Sequence, residues 1–435
     1  MGQGSQIVIR KNWAGHFFTI WIGQAFSILG SKLVSFALVW WLTTETGSAA
    51  VLATSTIMIY LPQIFLGPFA GALVDRWNRR RVMILSDSFV AAATLLLGLL
   101  FWAEVVQIWH IYLLVFIRSL GGSFHFPAIQ ASTTLMVPEK HLARIAGINQ
   151  MMEGGIHIAG PALGALLMGL LPIQGVIAVD VITAAVAVTT LFFIPIPQPK
   201  NGKEKQPISP RVVLDDVVEG FKFLTNWKGL VILLSMAVFL NFIFAPAGSF
   251  IPLLVTEHFK GGVWQLGILE SISGIGMLGG GLLLSIWGGF RKRVYSILLG
   301  MGMMGAASAV VGFVPEDGFV LATISFGVQG IFNTISNGSA FALIQSIVAP
   351  DMQGRVFSLL SSITSAISPL GLILAAPIVD HLGIQSWYII AGCAAVIMCV
   401  VALLMPVVVH LEDQKGLNGR SMTDGYEGAS MTVDV

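Results

Sequence analysis

Five ionisable side chains stand inside long apolar stretches of this sequence, where charge is rare. They are three carboxylates and two cations: Glu153, Asp180, Glu270, Arg118 and Lys32. A charged residue at the centre of an apolar span costs about 2.5–3.5 kcal/mol on insertion scales, so such residues are candidates for function by default. A carboxylate that alternates between an apolar environment and one beside a cation can bind and release a proton near neutral pH. These residue types therefore predict proton binding inside a membrane.

The composition indicates that membrane helices position these residues. Of the 435 residues, 55% are hydrophobic and 10% are charged, whereas a soluble domain carries about 25% charged residues. A helix that crosses a bilayer needs about 20 predominantly apolar residues. Twelve stretches qualify, at 14–42, 49–74, 82–103, 107–136, 145–171, 174–197, 229–256, 262–290, 294–313, 319–347, 356–380 and 384–410. The sequence therefore predicts an all-α membrane protein with twelve transmembrane helices.

Two polar segments divide the chain. The first, 198–228, opens with alternating prolines and contains an amphipathic piece near 212–224, which is typical of a linker with a surface helix. The second is the polar tail after Leu411. We therefore expect an N-terminal six-helix bundle over 1–197, a cytoplasmic linker over 198–228, a C-terminal six-helix bundle over 229–410 and a cytoplasmic tail over 411–435.

The basic residues predict the orientation of these helices. Almost all of the 23 lysines and arginines fall in loops on the side of the N-terminus, and the loops on the opposite side keep only Lys260. Positive charge is retained on the cytoplasmic side of a membrane. Both termini are therefore expected in the cytoplasm.

The loops also repeat. Arg79-Arg80-Arg81 recurs later in the chain as Arg291-Lys292-Arg293. Pro138-Glu139 recurs as Pro350-Asp351 after the same number of residues. Each pair lies in the equivalent loop of its half. This agreement predicts a duplicated six-helix unit.

The loop between spans 2 and 3 carries a specific motif. Gly71 is followed by Asp75-Arg76 and then by Arg79 and Arg80, in a tight hairpin between two apolar spans. This run resembles loop 2–3 of the major facilitator superfamily, where a Gly-x-x-x-Asp-Arg core precedes basic residues. The resemblance implies two pseudo-symmetric six-helix bundles with a substrate site at their interface, and a cytoplasmic gate formed by this loop.

Two further elements resemble the same superfamily. Arg118 is followed by Ser-Leu-Gly-Gly, like the Arg-x-x-x-Gly element of the fourth helix, and Gly160-Pro161-Ala-Leu-Gly164 resembles the Gly-Pro-x-x-Gly element of antiporter branches. The second element could equally serve only as a packing kink, because small residues let helices approach closely.

The resemblance also ranks the ionisable residues. Span 5 neighbours span 4 in this architecture, so Glu153 is the first candidate for proton coupling and is expected to approach Arg118. The alternative is a permanent Glu153–Arg118 ion pair without a coupling role. Glu270 could meet Lys32 or a cationic substrate. Asp180 is expected to be structural.

Several segments resemble the macrolide-efflux branch of the superfamily. They are Trp21 to Phe26, Ile117 to Gly121 with Phe124 to Ala128, Ile177 to Val181, and Gly354 to Leu359. This resemblance implies proton-driven export of hydrophobic drugs across a bacterial cell membrane. An uptake symporter or facilitator, and a non-transporting receptor or scaffold on the same fold, remain as alternatives.

Uncharged polar residues inside the spans are the remaining candidates. Gln24, Asn149, Asn241 and Asn333 could bind substrate or form interhelical hydrogen bonds. The chain contains no Gly-x-x-x-x-Gly-Lys-Ser/Thr, His-Glu-x-x-His or Cys-x-x-Cys motif, so we expect no cofactor, no metal and no enzymatic activity. The expected partners are a small hydrophobic substrate, protons and the lipid bilayer, with no nucleic acid, and the chain is expected to be monomeric.

The loop motif generates a first prediction. Only the first half keeps the Asp-Arg core, since Ser285 to Phe290 occupy the equivalent place in the second half. Asp75→Asn should therefore impair transport far more than Ser285→Asn, measured as substrate flux at matched expression in membranes. Equal losses in the two variants would show that the asymmetry between the loops has no functional meaning.

Overall fold

The computed structural model describes residues 12–74, 77–198, 228–348 and 350–412, which are helical with short connections and contain no strand. Asp75, Arg76, most of the predicted linker (199–227) and most of the predicted tail (413–435) lie outside the described residues. The amphipathic piece near 212–224 lies there too. The division of the chain at 197 and 229 therefore remains a prediction.

Twelve long helices follow one another in the described ranges. Those of the N-terminal half are α1 Trp13–Thr46, α2 Ala49–Val74, α3 Arg79–Trp102, α4 Ile108–Met136, α5 Glu139–Leu170 and α6 Ile173–Phe193. Those of the C-terminal half are α7 Lys228–Ser249, α8 Val263–Trp287, α9 Arg293–Phe313, α10 Phe319–Ile347, α11 Pro350–Leu382 and α12 Ile384–Leu403. A short helix, Ile251–Leu253, and a π-helical turn, Leu254–His258, follow α7, and a short helix, Pro406–Val409, follows α12.

Each of these twelve helices contains a stretch long and apolar enough to cross a membrane. Large apolar side chains remain exposed on their outer faces, such as Phe193 at 81% and Ile286 at 86%. A helix that is apolar all round belongs in a protein core or in lipid. The predicted all-α fold with twelve spans is confirmed. Several helices end before the predicted residue: α6 at Phe193, α7 at Ser249, α8 at Trp287 and α12 at Leu403. After α12, Pro406 begins a separate short helix.

The ends of the helices are fixed by local backbone chemistry. At the end of α1, Gly47 adopts a left-handed φ of 56° and its N–H donates to the carbonyl of Thr43 at 2.9 Å. At the start of α3, the side chain of Asn78 accepts from the N–H of Arg81 at 3.1 Å. Both are the caps that such residues prefer, and they make the turns between neighbouring helices short.

The two halves meet along two pairs of helices, α5 with α8 and α2 with α11. Ser271 on α8 donates from Oγ to the carbonyl of Ile158 on α5 at 3.2 Å. At the end of α11, the carboxylate of Asp380 accepts from the backbone N–H groups of Ala49 at 2.7 Å and Ala50 at 3.2 Å. A carboxylate at a helix N-terminus is favoured by the unpaired N–H groups and by the helix dipole. Asp380 therefore caps α2 from the other half.

The buried core differs between the two ends of the bundle. We call the end that carries the start of α1, Asn78 and Lys292 the basic end, and the opposite end, with Gly47 and Asp380, the far end. At the far end one apolar cluster contains side chains of both halves, among them Leu42, Leu52, Phe250, Val379 and Trp387. At the basic end, among the described residues, the buried clusters draw on one half each, around Phe17, Met83 and Leu191 or around Leu230, Ile297 and Val408. The halves are thus joined at the far end and separate towards the basic end.

The loops generate a topology prediction. In a chain whose Cys393 and Cys399 are replaced by alanine, single cysteines at Ser48 and Asp317 should react with a membrane-impermeant maleimide added outside whole cells. A cysteine at Ser209, in the predicted linker, should react only after the cells are opened. The physical reason is that the basic loops are retained in the cytoplasm. The reverse labelling pattern would contradict the orientation.

Candidate functional site

Two adjacent cavities lie inside the bundle. Cavity A, of about 310 Å³, is lined by α1, α3, α4 and α5 in the N-terminal half and has an apolar and aromatic wall that includes Trp21, Phe126 and Met152. Cavity B, of about 470 Å³, lies between the halves and is lined by helices α1, α2, α5, α7 and α8. The two cavities share Lys32 and His157 in their walls. The cavities are therefore neighbours, and we call the two together the chamber, which extends from the N-terminal half to the interface.

Three of the predicted ionisable residues face this chamber. Glu153 on α5 lines cavity A, and Glu270 on α8 lines cavity B. Lys32 on α1 lines both cavities, and also a third one described below. Among the described residues, Lys32 and Glu270 share cavity B without forming an ion pair of 4.0 Å or less. The chamber therefore holds one cation and two carboxylates on its wall.

Arg118 does not meet Glu153, so the expected contact between them is wrong. Its guanidinium Nη1 lies 2.7 Å from Oδ2 of Asp180 on α6 and also donates to Thr94 on α3. Ser31 on α1 donates to the other carboxylate oxygen of Asp180 at 3.0 Å. The physical reason is packing: α4 packs on α2 and α3, whereas α5 packs on α1 and α8.

The Arg118–Asp180 pair is buried, since the side chain of Asp180 is only 2% exposed. Both of its carboxylate oxygens have partners, and Thr94 also donates to Oδ2 at 3.2 Å. A buried ion pair is tolerated when hydrogen bonds satisfy its remaining groups. The cluster ties together α1, α3, α4 and α6.

A second polar layer lies two helical turns towards the basic end and was not identified from the sequence. His125 Nε2 is 3.0 Å from Oδ1 of Asp87 and 2.9 Å from Oε1 of Gln24, and the amide of Gln24 donates to Oδ2 of Asp87 at 2.9 Å. The signal was present in the sequence, because Gln24, Asp87 and His125 stand at the same helical interval from Ser31, Thr94 and Arg118. A repeat of polar residues at that interval places both layers on one face of each helix.

The four predicted substrate-binding amides do not share one cavity. Gln24 and Asn149 line cavity A, where Asn149 Oδ1 accepts from Trp21 Nε1 at 2.8 Å. Asn241 and Asn333 line a separate cavity of about 160 Å³ within the C-terminal half. The helices that carry the four amides therefore face two different cavities, and a role of each in substrate binding stays a prediction.

The helix-5 motif packs against α1. A Cβ added at Gly164 would lie 2.7 Å from Cδ1 of Phe36, so only glycine permits this approach. Gly160 and Pro161 line cavity B. The Gly160 backbone passes close to Lys32, because a Cβ built on Gly160 would lie 3.7 Å from the Cβ of Lys32. The motif thus shapes the wall of the chamber.

The described part of the loop motif holds the N-terminal half together at the basic end. Arg79 Nη1 donates to the carbonyl of Ala131 in α4 at 2.7 Å. Arg80 donates to the carbonyls of Leu191 at 2.6 Å and Phe192 at 2.5 Å, near the end of α6. Cations at helix C-termini satisfy the last carbonyls and complement the dipole. Gly71 lies in the last turn of α2.

The chain matches the family model of the Major Facilitator Superfamily over residues 20–295 and 234–423. The chain belongs to the Major Facilitator Superfamily. It is 35% identical over 398 residues to macrolide efflux protein A of Streptococcus pyogenes, a match that covers 92% of this chain and 97% of that protein. As a member of the superfamily it is a multi-pass membrane transporter of small substrates and not an enzyme.

Two more distant matches agree with the family. The chain is 26% identical over 416 residues to the multidrug efflux pump Tap of Mycobacterium tuberculosis, which covers 93% of this chain and 96% of that pump. Its fold superimposes on a variant of the nucleoside transporter NupG with a TM-score of 0.72, 14% identity and coverage of 89% and 98% of the two chains. At that identity the likeness to NupG concerns the fold alone.

The buried ion pair generates a stability prediction. Asp180→Asn leaves Arg118 without its counter-charge and should lower the free energy of unfolding by about 3–5 kcal/mol. Glu153→Gln is the matched control, because Glu153 lines a cavity and its loss should change stability by less than about 0.5 kcal/mol. The measurement is SDS-induced unfolding of the purified transporter in mixed micelles. Equal stability of the two variants would mean that the pair contributes nothing to folding.

Proposed function

We propose that this transporter exports hydrophobic, drug-like molecules, macrolides among them, from the bacterial cytoplasm in exchange for protons. The observation that carries the proposal is the chamber formed by cavities A and B. Its wall is mainly apolar and aromatic, with a few polar and charged groups, which suits large amphiphilic ligands. Cavities of about 310 and 470 Å³ together fall within the range of drug-binding sites.

The relatives support the direction of transport. Macrolide efflux protein A and the pump Tap are both named for efflux, and each aligns with this chain over more than nine-tenths of its length. A related substrate class is therefore the simplest expectation for this chain.

The arrangement of the halves supports alternating access. They share one apolar cluster at the far end and have separate clusters at the basic end. The basic loops favour a cytoplasmic location for that end, so substrate would enter the chamber from inside the cell. The N-terminal bundle (1–197) and the C-terminal bundle (229–410) would then rock about the chamber, linked by 198–228. Release outside requires the Asp380 cap on α2 to break.

The carboxylates on the wall support proton coupling. A proton that enters down a membrane potential provides about 2.3 kcal/mol per 100 mV. At 1.36 kcal/mol per decade, this sustains roughly a 50-fold gradient of substrate per charge moved. Glu153 remains the first candidate for the carrier, since it faces cavity A and Arg118 does not hold it in an ion pair. Glu270 in cavity B is the second.

The proposal is tested by uphill transport. In proteoliposomes with an imposed pH gradient, the wild type should concentrate radiolabelled erythromycin against its gradient, and collapse of the gradient by an ionophore should stop it. Glu153→Gln should still bind erythromycin but lose concentrative transport, because a carboxamide cannot carry a proton. Glu139→Gln, an exposed acid at the start of the same helix, is the matched control and should transport normally.

Two results would contradict parts of the proposal. If the wild type equilibrates erythromycin without concentrating it, the protein is a facilitator and the antiport is wrong. If Glu153→Gln concentrates erythromycin at the wild-type rate, Glu153 is structural and the coupling passes to Glu270.

A further inference from the structure

The layer formed by Gln24, Asp87 and His125 is not used by the function proposed above. Gln24 is 3% and Asp87 7% exposed, yet the His125 ring lines both cavity A and a third cavity, cavity C. Cavity C, of about 280 Å³, lies inside the N-terminal half and also has Lys32 and Arg118 in its wall. A buried carboxylate and a histidine that reaches the substrate chamber are thus held in one hydrogen-bonded group.

The geometry determines which ring nitrogen carries hydrogen. His125 Nε2 faces two acceptors, Oδ1 of Asp87 at 3.0 Å and Oε1 of Gln24 at 2.9 Å. The Gln24 amide is oriented by Asp87, to which its NH₂ group donates at 2.9 Å, and the opposite orientation would put two donors and two acceptors face to face. With Asp87 as a carboxylate, these contacts favour hydrogen on Nε2 in both charge states of the ring.

The other ring nitrogen is available. Nδ1 of His125 has no hydrogen-bond partner among the residues that the structure describes. It differs from the fully buried polar atoms without a partner, because it is not one of them. The ring belongs to the walls of cavities A and C, so Nδ1 can be reached by water. Histidine is the side chain whose unperturbed charge changes between pH 5 and 8.

We propose that Nδ1 of His125 is a proton-binding site of this transporter, with Asp87 as its fixed counter-charge and Gln24 as the residue that orients the ring. A hydronium ion in the cavity gives its proton to the Nδ1 lone pair and leaves a water molecule. The ring becomes an imidazolium, and its Nε2–H bond to Asp87 becomes charge-assisted. Release is the reverse step. The pair alternates between one negative charge and none.

The surrounding charges are compatible with this exchange. Arg118 is neutralised by Asp180 at 2.7 Å, so neither adds a net charge beside the ring. On α2, the residues that line cavity C, such as Ser55 and Gln63, are uncharged. Three titratable groups face the ring across the cavities: Lys32 on α1, and Glu153 and His157 on α5. The carboxylate of Asp87 is the only charge in contact with the ring among the described residues.

The site explains how substrate and proton could exclude each other, and in this respect it rests on the proposed function. Trp21, Gln24 and His125 lie in the same wall of cavity A. A ligand that fills cavity A lies against the ring and displaces the water through which Nδ1 exchanges its proton. An imidazolium Nδ1–H then loses the water that accepts its hydrogen bond, and an unpaired charged donor costs more than the unpaired lone pair of a neutral ring. Binding of substrate from the cytoplasm therefore favours the deprotonated ring, which is the order that antiport requires.

The first test observes the ring directly. In detergent-solubilised wild type labelled with ¹⁵N-histidine, one ring should titrate at Nδ1 between pH 5 and 9 while its Nε2 stays protonated. That signal should be missing from His125→Gln and from His125→Asn. Its loss in either variant assigns the signal to His125. It should remain in His110→Gln, the matched control on the same helix. Glutamine can replace His110 there, because its side-chain oxygen can accept from the N–H of Gln107 as His110 Nδ1 does. A His125 ring that does not titrate in this range overturns the proposal.

The second test measures coupling. If erythromycin displaces one proton, its dissociation constant should fall up to tenfold for each unit of pH between 5.5 and 7.5 in the wild type and in His110→Gln. In His125→Gln, the fold-change of the dissociation constant per pH unit should be at least three times smaller than in the wild type. An unchanged dependence in His125→Gln overturns the role of the site in antiport.

The two hypotheses fail separately. If the wild type does not concentrate erythromycin, the proposed antiport fails, and the ¹⁵N titration still decides whether His125 binds a proton. If the wild type concentrates erythromycin and His125→Gln does so with the same pH dependence, the proposed export stands and the proton site is wrong.

Discussion

A charge inside the apolar part of a membrane bundle needs a partner, and the N-terminal half of this transporter is built around that constraint. Its two polar layers pair a cation or a histidine with a carboxylate, Arg118 with Asp180 and His125 with Asp87. In each layer α1 contributes an uncharged side chain that completes the hydrogen bonding. The difference lies in access. The first layer is satisfied by hydrogen bonds and lines only cavity C, whereas the second also lines cavity A of the chamber. The first layer can therefore support the fold while the second exchanges protons, as proposed above.

The C-terminal half meets the same constraint by avoiding charge. Its helices approach through small residues: a Cβ at Gly276 on α8 would lie 2.2 Å from the carbonyl of Gly327 on α10. Such close backbone packing is typical of membrane helices, where van der Waals contact replaces the hydrophobic driving force. Glu270 is the carboxylate that this half presents to the chamber in the described ranges. Among the described residues, the charged groups that face the cavities are therefore concentrated in the N-terminal half, and the C-terminal half supplies the opposing wall of cavity B.

The sequence was sufficient for the fold because each span is specified locally, by its length and its apolar content. It was insufficient for the partners of Arg118, because partners depend on which helices touch and how each is rotated. Spans 4 and 5 are consecutive in the chain, yet α5 packs on α1 and α8 instead, and Asp180 on α6 takes the place expected for Glu153. The layer of Asp87 and His125 was predictable in principle from the matching helical intervals, which the search for isolated charges overlooked. The roles of Glu153, Glu270 and the loop motif stay predictions.

Alternating access requires two end states whose free energies differ by only a few kcal/mol, and the contacts at the far end have that scale. A carboxylate that caps a helix N-terminus contributes about 0.5–2 kcal/mol, and Asp380 provides one such cap across the halves. One proton moved through 100 mV provides about 2.3 kcal/mol, which is comparable. The apolar cluster at the far end adds to this closure, because opening it exposes apolar side chains to water in the release path at about 25 cal/mol per Å². Contacts that form at the basic end as it closes must offset most of this cost, so that a single proton can decide between the two end states.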